Sequence, residues 1–153
     1  MKKLQIGSAE LGILAHMMRK VEFFTPLTIG QLEKVLPAVM LYAYDTGETI
    51  FSQGQQGDAF YIIYKGSVDI RINQWLVFSK KIAALKEGDF FGEIALISYE
   101  PRSASVVAAE PTMLFTLIAG DFKFVLQENP AAAEEMKRIG ARRKFASDHD
   151  ASS

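Results

Sequence analysis

The sequence contains no cysteine, and that one absence excludes a disulfide framework, thiolate metal ligation and a cysteine nucleophile together. Histidine is nearly missing too. His16 and His149 lie near opposite ends of the 153 residues, which leaves little for His-based catalysis or zinc binding. Charge of one sign is also lacking: 17 Lys and Arg stand against 18 Asp and Glu, a formal net charge of −1, without the basic excess usual in nucleic-acid domains. No apolar run is long enough to cross a bilayer; Val35 to Tyr44, the longest, is about half a span and holds Pro37. Met1-Lys2-Lys3 is not followed by the apolar stretch of a signal peptide, because Gln5, Ser8 and Glu10 interrupt it. The expectation is a soluble, cytoplasmic chain of one domain, long enough for a single core.

What is present changes character twice along the chain. Residues 8–20 read as a helix, with Ser8 as a candidate cap and Leu11, Leu14, Ala15 and Met18 spaced to face inward. Phe23 to Leu27 breaks it at Pro26, and a shorter helix with Leu32, Val35 and Leu36 inward ends near Pro37. From 39 to 118 the period becomes two: Val68, Ile70 and Ile72 alternate with polar residues. Short apolar runs at 49–51, 60–64, 75–78, 82–85, 104–108 and 113–118 surround that segment. Six of the 11 glycines fall between Gly47 and Gly92, where turns between such strands need positive φ. Helical spacing returns at Phe122, Val125 and Leu126, and Asn129-Pro130 has the form of a helix start. The fold class is therefore mainly β with flanking helices. A helical segment (1–38) precedes an antiparallel β roll, or jelly roll (39–118), and helices follow at 120–145. Residues 146–153 are small and polar and read as a disordered tail.

One segment carries chemistry. Glu87-Gly88-Asp89-Phe90-Phe91-Gly92-Glu93-Ile94-Ala95-Leu96 is a glycine turn opening a helical turn, and Pro101-Arg102-Ser103-Ala104-Ser105-Val106 follows. Unpaired N–H groups at a helix start suit an anion, and the planar fork of Arg102 matches two phosphate oxygens. A carboxylate at Glu93 fits if it accepts hydrogen bonds from a sugar hydroxyl, so that a small phosphorylated riboside satisfies all three elements. Spacing alone is met more simply by a surface helix with a Glu93–Arg102 ion pair, worth about 0–1 kcal/mol.

Gly47-Glu48-Thr49-Ile50-Phe51, Gly54-x-x-Gly57-Asp58-x-Phe60-Tyr61-Ile62-Ile63 and Gly66-Ser67-Val68, followed by the segment above, resemble the cyclic nucleotide-binding domain family, in its stand-alone, bacterial-type form. Residues 91–106 are similar to that family's phosphate-binding cassette, and the likeness runs over roughly 22–145. The resemblance implies a roll that holds cAMP, with cGMP as the alternative, and C-terminal lid helices that move on binding. It implies that Arg102 pairs with the cyclic phosphate and Glu93 with the ribose 2′-hydroxyl. Backbone groups of Gly92, Ile94, Ala95 and Ser103 would complete the cradle. Ile94 matches the apolar position that touches the mobile helices; Gly47, Gly57 and Gly66 match structural turns. In related bacterial domains a residue of the last helix covers the purine, a role open to Arg142 or Arg143.

The basic end of that helix, from Lys137 to Lys144, otherwise reads as a solvated terminus complementing its dipole. Gly54 to Asp58 lacks the Gly-Lys-Ser/Thr of a P-loop, so nucleotide hydrolysis finds no support. A jelly-roll metalloenzyme needs several inward histidines, and both histidines lie outside the expected roll, so no metal is expected. A protein-interaction domain that kept the fold and lost the ligand remains the alternative, against which Glu93 and Arg102 both count. The expected role is a non-enzymatic regulatory module in signal transduction. With about nine residues after the last expected helix, and no DNA reader, kinase or channel segment in the sequence, output is expected through a protein partner or self-association, or through a larger protein of which this chain is a fragment. Neither nucleic acid nor membrane is expected as a partner.

Overall fold

The computed structural model describes the backbone of residues 1–74 and 78–152, and the side chains of residues 1–73 and 79–142. In chain order the elements are β1 (Lys2–Leu4), α1 (Ser8–Lys20), α2 (Ile29–Val35), β2 (Met40–Tyr44), β3 (Thr49–Phe51), β4 (Ala59–Lys65), β5 (Ser67–Gln74), β6 (Phe78–Lys86), β7 (Phe90–Phe91), β8 (Ser105–Ala108), β9 (Thr112–Ile118), α3 (Lys123–Glu128) and α4 (Pro130–Ser152). Single helical turns stand at Glu22–Phe24, Leu36–Ala38, Glu93–Leu96 and Ala119–Phe122.

The strands form two antiparallel sheets, one in the order β1-β2-β9-β4-β7 and the other β3-β8-β5-β6. The period of two decides what each face meets. Along β4, Ala59, Tyr61 and Ile63 pack into the roll, while Phe60 and Ile62 join the cluster beneath the helices. On β9, Leu114 faces the roll, whereas Phe115 and Leu117 face the helices. The larger sheet is thus buried on both sides, which is why β4 and β9 read as nearly unbroken apolar runs. The helical layer contributes Leu14, Met18, Phe23, Phe24, Val35, Phe122, Val125, Met136 and Ile139 to one core with that sheet.

The mainly β fold with flanking helices is as expected, and several details differ. Gly7, not Ser8, is the N-cap of α1, and its carbonyl accepts from Leu11 N–H at 3.0 Å, so the first turn begins one residue early. Leu11 is exposed and Ala15 half-buried, because α1 meets the sheet only through the narrow stripe of Leu14 and Met18. The expected strand at 82–85 is part of the longer β6, which begins at Phe78; residues 75–77 of the other expected run lie outside the described residues. β1, which the sequence reading left out, pairs with β2 at the sheet edge.

The tail expected to be disordered continues α4 to Ser152. Beyond Gly140 the sequence offers neither Gly nor Pro to stop a helix, and Ala, Arg and Lys propagate one readily. The start of α4 is as expected: Asn129 Oδ1 accepts from Ala132 N–H at 3.1 Å. Five of the six glycines from Gly47 to Gly92 have positive φ; Gly57 is the exception.

Candidate functional site

The site is assembled where β7 runs out. Phe91 pairs with Tyr61 of β4, and Gly92 then takes a left-handed conformation (φ 80, ψ 14) that turns the chain into the single turn Glu93–Leu96. Ala95 N–H donates to Gly92 O at 3.2 Å, closing that turn. Glu93 at its start is 7% exposed, and Arg102 only 8%. Burial of both charges removes the simpler account from spacing alone, a solvated surface pair.

Arg102 is fixed at both ends. Its N–H donates to Gln55 O at 2.7 Å and its carbonyl accepts from Gly54 N–H at 2.8 Å, a short ladder to the β3–β4 loop. Its guanidinium donates to Ala59 O at 2.7 Å and to Gly92 O at 3.3 Å. Its Nε is buried and has no hydrogen-bond partner among the described residues. Gly57 is buried beside this group: a Cβ there would stand 3.3 Å from Ala95 Cβ, 3.3 Å from Glu100 O and 3.4 Å from Arg102 Cζ. Its φ is not positive, so close approach to the cassette, rather than the turn expected of it, is what favours glycine here.

Burial lowers the pKa of Arg102, while Tyr61, Asp58 and Glu93 favour its charged form. Burial raises that of Tyr61, and the neighbouring guanidinium opposes the rise. A desolvated cation with spare donor capacity, beside a buried carboxylate and a helical turn, can hold an anion together with a hydroxyl-bearing group. Among the described residues no group of three or more His, Asp or Glu side chains could hold a metal ion. No helix among them is long and apolar enough to cross a membrane.

The family model for the cyclic nucleotide-binding domain matches residues 42–129. The chain belongs to the cyclic nucleotide-binding domain family. It is 30% identical over 132 residues to a cGMP-dependent protein kinase of Eimeria tenella, a match covering 82% of this chain and 13% of the kinase. It is 30% identical over 109 residues to a cAMP-dependent protein kinase regulatory subunit of Mycosarcoma maydis, covering 71% of this chain and 21% of the subunit. The chain therefore corresponds to a small part of the curated relatives it matches. Among solved structures, the catabolite activator protein of Thermus thermophilus aligns with a TM-score of 0.69 at 29% identity, over 85% of this chain and 61% of that one.

In this cyclic nucleotide-binding domain Gly92, Glu93, Ile94, Ala95 and Arg102 are brought together, with Ser103 exposed next to the arginine. Arg142 is not among them. It lies on the exposed side of α4 with its guanidinium 3.9 Å from Glu22, because the helix turns Ala132, Met136, Ile139 and Gly140 inward instead. The side chain of Arg143 lies outside the described residues. Sequence reasoning missed Phe51 and Tyr61, which stand against Arg102, and the packing role of Gly140. Phe51 and Tyr61 stand in the sequence only as members of short apolar runs and of the motifs quoted above, with nothing to set them beside Arg102.

Proposed function

We propose that this domain is a non-catalytic intracellular sensor that binds a cyclic mononucleotide, cAMP in preference to cGMP, and signals by moving α4. The observation that carries the reading is the buried Glu93–Arg102 pair at the turn that Gly92 opens, with Arg102 Nε unpaired. Arg102 and the cassette backbone would take the cyclic phosphate, and Glu93 the ribose 2′-hydroxyl. Calorimetric titration with cAMP and cGMP tests it; saturable binding of neither would overturn it.

The relatives named above include one protein named for cGMP and one for cAMP, so preference turns on this chain's own residues. Ser103 directly follows the phosphate-binding position, and its hydroxyl offers a weak version of the contact that a Thr makes to a guanine amino group. Ser103→Thr is expected to narrow the preference for cAMP, and Ser103→Ala to widen it. An unaltered affinity ratio in both variants removes the side chain from base selection.

The switch is proposed at α4, where Gly140 allows a close approach. A Cβ at this position would stand 3.0 Å from Ile94 Cδ1 and 3.3 Å from Ile97 Cδ1. The helix thus rests on the turn that would contact the phosphate. Arg142, now beside Glu22, can cover the purine only if α4 leaves its present seat. Gly140→Leu, which levers the helix off Ile94, is then expected to raise affinity roughly threefold or more, since the competent arrangement is more populated. Ligand should also change amide exchange across residues 130–144. If neither affinity nor exchange responds, α4 is a passive element. Output would pass to a protein partner or a second copy of the chain.

A further inference from the structure

Phe51 lies within the motif Gly47-Glu48-Thr49-Ile50-Phe51 and takes no part in the proposed ligand contacts. Its ring centroid is 4.0 Å from Arg102 Cζ, the separation of a cation resting on an aromatic face. The ring is itself held. Phe51 stands 5.9 Å from Tyr61 and 5.9 Å from Phe91, which stack on each other at 5.0 Å and 16°. The backbone supplies the aim: Thr49 pairs with Val107, but Phe51 pairs with Val106, so β3 carries one extra residue. That bulge sets Phe51 opposite a residue of the roll interior.

Two carbonyl bonds, to Ala59 and Gly92, locate two nitrogens of the guanidinium and leave its plane free to tilt about the line joining them. A ring face against Cζ removes that freedom. We infer that Phe51 is a positioning residue for Arg102: its ring fixes the plane of the guanidinium and so sets how well the arginine meets a cyclic phosphate. The inference rests on the proposed ligand for its effect on affinity, while the contact itself does not depend on it.

The test has a ligand-free arm and a binding arm, both on the full chain. The Arg102 Nε–Hε NMR resonance, assigned by its loss in Arg102→Lys, should carry a ring-current shift. Phe51→Leu should abolish that shift and Phe51→Tyr should keep it. For binding, Phe51→Leu should weaken affinity for cAMP roughly 3- to 30-fold, with Phe51→Tyr within about twofold of wild type. In an Arg102→Ala background Phe51→Leu should add little, because the group it positions is gone. Leu114→Ala, which loosens the same cluster from β9 outside the cassette, should lower stability without this loss of affinity. A resonance unmoved in Phe51→Leu overturns the inference, as does an equal loss of affinity with and without Arg102. Failure of the wild type to bind either nucleotide overturns the function, and the resonance still decides the contact.

Discussion

Arg102→Ala is expected to weaken cyclic nucleotide binding about 30- to several-thousand-fold, the range for removing one partner of a desolvated charged contact, about 2–5 kcal/mol. The reason is structural as well as electrostatic. Arg102 is buried, Glu93 favours its charged form, and its guanidinium is held by bonds to Ala59 O and Gly92 O. Some loss of stability should accompany the substitution. Gly92 O keeps its bond from Ala95 N–H, but Ala59 O loses its arginine donor, a penalty of about 1–3 kcal/mol if it stays dry. Arg102→Lys should also bind poorly, since an ammonium cannot reproduce the planar two-pronged contact. Calorimetry beside a urea melt separates the two effects. A folded Ala variant with wild-type affinity would remove Arg102 from the phosphate site.

The largest effect on folding is expected at a residue with no part in binding. Gly66 is the corner at which the chain leaves β4 in one sheet and enters β5 in the other. It has φ 90, and a Cβ there would stand 2.5 Å from Pro111 O, 2.5 Å from Thr112 Oγ1 and 2.8 Å from Thr112 Cα. Thr112 cannot give way, because it is buried, accepts from Ser67 N–H at 3.3 Å and donates to Glu110 O at 2.8 Å. Gly66→Ala therefore adds a clash with backbone to the strain of a left-handed residue. It should cost more than about 3 kcal/mol, a melting temperature lower by roughly 10 °C. Gly88 is the control, with φ 90 and nothing within 4 Å of its absent Cβ. Gly88→Ala should cost only the backbone term, about 1 kcal/mol. Equal losses in the two variants would show that the approach to Thr112 is unimportant.

The roll was legible in the sequence wherever the period of two survived. Val68, Ile70 and Ile72 marked β5, and Gly66 marked the turn that leads into it. The cassette was legible for a different reason. Gly92, Glu93 and Arg102 lie within eleven residues, so one local stretch carries the turn, the carboxylate and the cation. α1 was misread at its surface, because spacing identifies a helix but not how wide a stripe the sheet will cover; Leu11 stayed outside. The length of α4 was misread because a polar composition alone does not break a helix.

What the sequence determined, by itself, is the β roll between helical segments and the local grouping of Gly92, Glu93 and Arg102. Short-range periodicity and turn chemistry are enough for both. The tertiary structure alone decided what stands around Arg102. Phe51, Gly57 and Ala59 lie some 40 to 50 positions away along the chain and reach it only through sheet pairing and one β-bulge. It also decided that Gly140 rests on Ile94 and Ile97 and that Arg142 faces Glu22. Those contacts depend on how α4 docks, and the facing of a helix on a sheet is a property of two surfaces that no local pattern contains.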